Sequence, residues 1–444
     1  MNDIIEMIGN LVWGPHMLIF VVGVGVYFTV RLKFLQLRNF REALKQSSNT
    51  RRDKALKGSG KGDITPYEAL SMALGGAVGN GNIAGVATAI AIGGPGAVFW
   101  MWISAFFGMA ISFAESSLGV KYRKISENGS ILAGPMYYMK YGLGWGWLAG
   151  IFAFFMGIKT LVSTSTIQTN SMSLVLNKLF EIPMLLSGLV IAFLTWLVII
   201  KGIRSIVVIA AKLTPIMVLI YLVTGLLIVI INTSEILGIL KEIVESAFSA
   251  RSASGGFAGA SVMMAVRYGV ARGVYSNEAG TGSAPIVHGA AITTSPRSQG
   301  LVSMVGVFLD TLVINTITAL VILSSADWTM GGTSTVLAAG SFESTLGITG
   351  AWVVAASSLL FGYSSLIAWP YYGEQCFAYL FGDKIRVSFR WTFCIFMLAG
   401  TFNEAEVIWA MGDILNGMMT IPNLIALIAL GGVVVGMAKG QKEQ

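Results

Sequence analysis

Charge is what this chain has least of. Only 11% of its 444 residues are Asp, Glu, Lys or Arg, against about 25% in a soluble domain. So few charges cannot cover a water-facing surface of this size, so most of the surface must face lipid. Cysteine is nearly absent: Cys376 and Cys394 both lie in apolar stretches, which excludes a disulfide framework. His16 and His288 are the only histidines, too few for a histidine-built metal site. Neither HExxH nor a Ser/His/Asp arrangement occurs, so no enzyme and no cofactor are expected. The N-terminus "MNDIIEMIGNLVWG" lacks a basic n-region and a small-residue cleavage site, and no removable signal peptide is expected.

What the chain does have is apolar length. Hydrophobic residues make up 55%, mean hydropathy is +0.74, and Gly reaches 53 against 10 Pro. A spanning helix needs about 20 apolar residues. By that measure the chain is an all-α polytopic membrane protein of about eleven transmembrane helices, near 10–32, 66–92, 96–120, 145–176, 184–200, 206–231, 257–290 (interrupted), 298–325, 350–381, 389–411 and 415–437. Connections are short except at 33–65, a basic amphipathic stretch running into a Gly/Ser/Lys linker, and at 232–256.

The charges test that count. Alternating sides from the linker, one side receives Arg31 through Lys61, Lys121, Arg123, Lys124, Lys140, Lys201, Arg204, Arg297, Lys384, Arg386, Arg390, Lys439 and Lys442. The other side collects Glu235, Glu242, Glu245, Asp327 and Glu343 and little positive charge beyond Lys178, Lys241 and Arg251. The positive-inside rule then puts the N-terminus outside and the C-terminus in the cytoplasm of a multi-pass cell-membrane protein. The same distribution accounts for the net charge of +7 without nucleic acid as a partner.

Two stretches are poor helix formers. "GGAVGNGNIAG", Gly75–Gly85, packs five glycines and two asparagines into a predicted mid-bilayer position. "GVYSNEAGTGSAP", Gly273–Pro285, does the same in the seventh span. In hydrocarbon, irregular backbone survives only where it is buried in protein or lines a cavity. A pair such as Gly81 and Gly85 serves ordinary helix packing in many membrane proteins, but packing does not require amides. Nor is Gly79-Asn80-Gly81 a nucleotide fingerprint, since no βαβ context surrounds it, and "GSGKGD" lacks the phosphate-loop spacing. Spans 2 and 7 are five apart and so oppositely oriented. The chain thus divides into an extra N-terminal helix (1–32), a basic linker (33–65), a first five-helix repeat (66–231), a connection (232–256), a second, inverted repeat (257–437) and a tail (438–444). Breaks at matching positions of inverted halves point to a transporter's midplane site. Free N–H groups of one half-helix suit a carboxylate, and free carbonyls of the other suit a small hard cation. A zwitterion or anion moved with Na⁺ or H⁺ is therefore expected.

"GGAVGNGNIAG", "RGVYSNEAGTGSAP", "IQTNS" (167–171) and "WPYYGEQCFAYLFG" (369–382) resemble the alanine or glycine:cation symporter family over nearly the whole chain. The resemblance implies the five-plus-five inverted-repeat fold of the neurotransmitter:sodium symporters. It also implies Na⁺-coupled symport of a small neutral amino acid, alanine or glycine, by alternating access, with a monomeric state expected. It implies sodium ligands from the carbonyls of Gly75, Val78 and Phe361 and the hydroxyls of Ser364 and Ser365. Ala77, Asn82 and Ser276 fall at the second sodium position of the relatives, and one sodium is expected. The substrate carboxylate is implied to sit on the amides of Gly79, Asn80 and Gly81, reached by Gln168, and the amine on the stretch Tyr275, Ser276, Asn277 to Gly280. Spacing supports Gln168 separately, because Thr164, Gln168 and Ser171 share one helix face. Trp369, a turn after the serine pair, is placed to cap the pocket.

Intramembrane charges are functional candidates by default. Glu278 is expected to satisfy its own loop and Arg272 to serve an external gate. Lys159, more than two turns from Gln168, is expected to stay outside the cation's place. Proton coupling through Glu278 or Asp310 is the alternative, with a sensor or channel as a more distant one.

Overall fold

A computed structural model describes residues 7–9, 11–48, 62–127, 129–249, 258–293, 295–325, 328, 334–402 and 405–440. Nearly all of them are helical; the sheet among them is a two-residue antiparallel pair, β1 (Lys124–Ile125) with β2 (Ile131–Leu132). The helices used below are α1 (Pro15–Arg31), α2 (Phe40–Ser47), α3 (Pro66–Ala77), α4 (Ala84–Gly93), α5 (Gly96–Lys121), α6 (Pro135–Leu143), α7 (Gly146–Lys159), α8 (Ser165–Phe180), α9 (Met184–Ile199) and α10 (Ile203–Ile231). They continue with α11 (Thr233–Ser246), α12 (Ala258–Asn277), α13 (Ala284–Gly289), α14 (Pro296–Val307), α15 (Thr316–Leu323), α16 (Ser334–Leu346), α17 (Ile348–Phe381), α18 (Ile385–Ala399), α19 (Ala405–Ala429) and α20 (Gly431–Ala438).

Among the described residues, six helical stretches are long and apolar enough to cross a membrane. The most apolar of them, α10, is also the least buried, with 28% of its span inside the protein. Leu219, Val223, Leu226 and Ile230 on it are exposed, as are Leu189 and Phe193 on α9. Apolar groups turned outward and polar groups turned inward are what a lipid solvent requires. Helix starts follow local chemistry. Pro15, Pro66, Pro135 and Pro296 open α1, α3, α6 and α14, where the missing N–H costs nothing. Thr65 and Glu68 close a capping box on α3, with Glu68 N donating to Thr65 Oγ1 at 3.2 Å and Thr65 N to Glu68 Oε2 at 2.7 Å.

The two spans expected to be interrupted are each two helices, α3/α4 and α12/α13. They run antiparallel. Asp63 N, just before α3, donates to Ala290 O just after α13 at 2.9 Å, and Ile292 N donates to Ile64 O at 2.7 Å. At the other end, Gly93 of α4 lies against Ala265 of α12. Helices α12 and α14 both pack along α5, and α10 and α17 close over α3.

Several boundaries differ from the sequence reading. The last two spans are α18 and α19 followed by the short α20, rather than 389–411 and 415–437. Asp413, between the two expected spans, lies inside α19 and is paired with Arg272 at 2.9 Å, and the chain turns earlier, near Gly400. The expected connection 232–256 contains α11. The stretch between 325 and 350 holds α16, whose buried Leu337, Ala338 and Phe342 pack inward, Phe342 beside Tyr221 with ring centroids 5.6 Å apart. Of the basic linker, residues 49–61 lie outside the described residues. Two helices also carry π-turns, at Thr160–Thr164 between α7 and α8 and at Phe308–Asn315 between α14 and α15.

One end of the molecule is basic and tied down by arginines. Arg123 donates to the carbonyls of Gly289, Ala291 and Thr293 at 2.7–2.9 Å. Arg297 forks onto Glu42 of α2 with two 2.7 Å bonds and holds Ala438 O at 3.2 Å. The Arg297 hydrogen bonds hold the Glu42 carboxyl below its usual range. This clasp is therefore intact above the ordinary carboxylate pKa and is lost as pH falls through the depressed value. Glu374, 4% exposed, receives Arg386 at 3.1 Å and Arg390 at 2.6 Å. Replacing Glu374 by alanine leaves the largely buried Arg390 with the Ile200 carbonyl at 2.8 Å and no carboxylate, while Arg386 keeps Asp383 at 2.9 Å, so a loss of about 3 kcal/mol is expected. Thermal melting of the purified protein measures it, and Glu374→Gln should lose less; equal melting of Glu374→Ala and wild type refutes it.

Candidate functional site

The first break begins where α3 ends. Val78 and Gly79 are extended, Asn80–Asn82 form a single 3₁₀ turn, and Ile83 leads into α4. Asn82 holds this shape, accepting Gly79 N on Oδ1 at 3.0 Å. Its Nδ2 lies 2.7 Å from Asp310 Oδ1 and 2.9 Å from both Ser276 Oγ and Asn315 Oδ1. Ser276 Oγ and Thr311 Oγ1 each donate to Asp310 Oδ2 at 2.7 Å, and Asn315 Nδ2 donates to Ser276 Oγ at 3.0 Å. Asp310 and Asn82 are fully buried. No Lys or Arg among the described residues pairs with Asp310 within ion-pair distance. A buried carboxylate ordinarily has a cation or a metal beside it. A cluster of one carboxylate, two amides and two hydroxyls is hard-oxygen chemistry suited to a small cation.

A second oxygen cluster lies on the other side of the break. Ser364 Oγ donates to Gly75 O at 2.7 Å, and Ser365 Oγ to Gly76 O at 3.1 Å. The approach is so close that a Cβ on Gly75 would stand 2.5 Å from the hydroxyls of Ser364 and Thr214. Only glycine leaves that space. Val78 is buried beside them, and the Phe361 ring packs on Tyr221 with centroids 5.3 Å apart.

Between α8 and the break, Gln168 Oε1 accepts Asn80 Nδ2 at 2.8 Å and Asn80 N at 3.4 Å, while Ser358 Oγ donates to Asn80 Oδ1 at 2.5 Å. Trp369 Nε1 donates to Gly76 O at 3.1 Å. The Tyr275 ring lies against Gly81, where a Cβ would be 3.4 Å away. Thr164 is buried on the π-turn, one turn before Gln168.

The second break turns at Glu278 (φ 58°), Gly280 (φ 85°) and Gly282 (φ 84°). Asn277 Oδ1 accepts Ala279 N at 3.0 Å and its Nδ2 donates to Thr311 Oγ1 at 3.1 Å. Gly280 N donates to Glu115 Oε1 at 3.4 Å. Asn423 Nδ2 donates to Gly280 O at 2.9 Å and Glu115 Oε2 at 3.0 Å, and the Tyr138 hydroxyl donates to Asn423 Oδ1. Ser283 Oγ donates to Glu278 Oε2 at 2.5 Å.

The structure thus brings Gly75, Gly79, Asn80, Gly81, Gln168, Tyr275, Ser276, Ser364, Ser365 and Trp369 around the first break. It places Asn277 and Gly280 against Thr311, Glu115 and Asn423 instead. Gly79 N, a proposed carboxylate donor, is taken by Asn82, and Asn80 N by Gln168. Asp310 was legible as an intramembrane charge and a proton-coupling alternative but not as a partner of Asn82, and Asn315 was not singled out. Both lie on a π-turn, which shifts the inward face by one residue and escapes a 3.6-residue reading. Lys159, distant from Gln168 along the helix, lies 3.9 Å over the Trp369 ring and donates to Asn416 Oδ1 at 2.9 Å. His288 is buried on Gln299, with 2.7 Å between Nδ1 and Nε2.

Residues 1–444 match the family described as the sodium:alanine symporter family. The sodium/alanine symporter AgcS of Methanococcus maripaludis is 41% identical, over 99% of this chain and 97% of its own. A probable sodium/glutamine symporter, GlnT of Bacillus subtilis, is 35% identical over 100% of this chain and 91% of its own. Among solved structures, a manganese transporter of Eremococcus coleocola superposes with a TM-score of 0.50, covering 84% of this chain and 92% of that one at 13% identity. At that identity the likeness concerns the fold alone.

Proposed function

Because the chain belongs to the sodium:alanine symporter family, a family of transporters rather than enzymes, we propose that it carries alanine or glycine into the cell with sodium by alternating access. The observation that carries this reading is the meeting of two antiparallel broken helices at Asn82 and Ser276, 2.9 Å apart, with a hydroxyl-lined cluster beside them. We read the eleven spans as two inverted five-helix repeats, 66–231 and 257–437, behind an extra first helix. The basic end is cytoplasmic by the positive-inside rule, which puts the N-terminus outside, and the protein works as a monomer.

In this reading sodium binds between the carbonyls of Gly75, Val78 and Phe361 and the hydroxyls of Ser364 and Ser365. The ion takes the place of the hydroxyl-to-carbonyl contact at Gly75. The substrate carboxylate takes the Asn80 amide from Gln168 Oε1 and the Gly79 amide from Asn82, reaching the backbone donors of the 3₁₀ turn, and Gln168 turns its Nε2 to donate to it. Its ammonium faces Tyr275 and Ser276, under Trp369. Purified protein in liposomes is expected to concentrate alanine when an inward sodium gradient is applied and not when potassium replaces it. Absence of sodium-driven uptake rejects the reading. Gln168→Ala is expected to raise the alanine KM about tenfold (about 1.4 kcal/mol) while the sodium activation curve stays in place. An unchanged KM removes Gln168 from the substrate site.

The buried Asp310, without a cation partner among the described residues, favours a second reading in which it carries the coupling ion, a second sodium or a proton. Uptake driven by a pH gradient in sodium-free medium selects the proton.

A further inference from the structure

The chain leaves α1 through a sharp turn. Lys33 and Phe34 both take left-handed backbone angles (φ 54° and 56°), which residues other than glycine rarely adopt. Contacts hold the turn in place. Phe34 N donates to Thr29 O at 2.8 Å, and the buried Gln36 donates from Nε2 to Thr29 Oγ1 at 2.8 Å. One helical turn, Leu35–Arg38, then leads into α2. The inward face of this segment is tied to the body of the protein. Leu35 and Ala43 are buried, and the Phe40 ring meets Phe308 edge-on with centroids 4.7 Å apart. Ser298 Oγ donates to Gln46 Oε1 at 2.6 Å beside the Arg297–Glu42 clasp.

The outward face is of another kind. Residues 31–48 carry five cations, Arg31, Lys33, Arg38, Arg41 and Lys45, and all five are exposed. The one acid of the stretch, Glu42, is already taken by Arg297. Between the cations stand Phe34, Leu37 and Leu44, 48%, 63% and 41% exposed. On α2, Arg41, Leu44, Lys45 and Ser48 recur at i, i+3, i+4 and i+7 and so share one helix face. Water would leave these apolar groups unburied, and hydrocarbon would leave the charges unsolvated. A headgroup layer accepts both, with phosphates at the cations and the acyl boundary at the apolar side chains. A row of cations with no free acid among them matches a negatively charged leaflet, and a zwitterionic one gives it no net attraction.

We propose that the segment from Arg31 to Lys45 is a docking surface for anionic phospholipid headgroups. Phosphates lie along Arg38, Arg41 and Lys45, and Leu37 and Leu44 dip toward the acyl chains. The lipid and the start of α14 then hold the segment from opposite sides. The proposal rests on the orientation reading above only for which leaflet supplies the lipid; the binding itself requires neither that orientation nor transport.

The test counts lipids retained by the full chain in native mass spectrometry, from detergent micelles titrated with phosphatidylglycerol or with phosphatidylcholine. Wild type should retain phosphatidylglycerol in preference. Arg38→Gln, Arg41→Gln and Lys45→Gln combined should raise the phosphatidylglycerol midpoint at least about tenfold and leave that of phosphatidylcholine within about twofold. Lys201→Gln, Arg204→Gln and Lys384→Gln combined remove the same charge from exposed positions elsewhere at the basic end, and should raise it less than about threefold. No preference in wild type, a rise below about threefold in the first variant, or an equal rise in the second would overturn the surface. Displacement of phosphatidylglycerol by inorganic phosphate would also overturn it, since that marks a free-anion site. Should the first variant not fold, wild type with phosphatidylglycerol bearing a photoreactive headgroup decides: crosslinks within residues 31–45 support the surface, and crosslinks only elsewhere refute it. Absence of sodium-driven uptake, with the lipid preference intact, would reject symport and leave the surface standing.

Discussion

Replacing Asp310 by asparagine is expected to cut sodium-driven alanine uptake on the order of a hundredfold while the protein remains folded. Asparagine preserves the acceptor for Asn82 Nδ2, which now lies 2.7 Å from Asp310 Oδ1, and so preserves the brace on the first break. What it removes is the negative charge, and it turns Oδ2 into an amide donor towards which the Ser276 and Thr311 hydroxyls, now donating to Oδ2, must rotate as acceptors. A charge-bearing ligand worth two decades in apparent cation affinity corresponds to about 2.7 kcal/mol, within reach of a fully buried carboxylate. Asp310→Ala is the harsher change. It leaves the Ser276 and Thr311 hydroxyls as buried donors without their acceptor, while Asn82 Nδ2 keeps Ser276 Oγ and Asn315 Oδ1; at about 1–3 kcal/mol for each one stranded, destabilisation should accompany the loss of transport. The comparison is made by sodium titration of uptake in liposomes beside thermal melting. If Asp310→Asn transports with a wild-type sodium curve, the carboxylate only braces the break and carries no ion.

The second large effect concerns Ser364 and Ser365. Each alanine substitution there is expected to shift the sodium activation curve about tenfold to higher concentration, about 1.4 kcal/mol, with alanine KM at saturating sodium unchanged. The reasoning is geometric: both hydroxyls touch carbonyls of the last turn of α3, Ser364 at Gly75 and Ser365 at Gly76. Removal of one hydroxyl takes an oxygen from a cation but leaves the helix intact. Ser365→Thr retains the oxygen and should retain the curve. The two results together separate the oxygen clusters. A shift in Ser365→Ala with none in Asp310→Asn assigns the ion to the serine side; the reverse assigns it to Asp310.

Much of this was legible in the amino-acid order because lipid makes the accounting strict. A chain with 11% charge must bury its backbone polar groups in helices, so apolar length announces spans and a glycine- and asparagine-rich stretch announces a break. Both breaks stand where the sequence put them, since no local alternative could satisfy those backbones. The expected spans 389–411 and 415–437 miss the course of α19, which carries Asp413 inside it, and the Arg272 that pairs with Asp413 lies 141 residues earlier in the chain. The π-turns were invisible for a related reason. Their extra residue is stabilised by what the bulge packs against, and no local periodicity records that.

By itself, then, the sequence determined the solvent, the helical class and the two places where helices must fail. The tertiary structure decided which polar groups those failures share. Asp310 closes on Asn82, Arg272 closes on Asp413, and Asn277 turns to Thr311 and Gly280 to Glu115 and Asn423. The physical reason is that a buried polar group must be satisfied by whatever lies within about 3 Å, and only the folded packing of α5, α8, α12, α17 and α19 brings those partners to it.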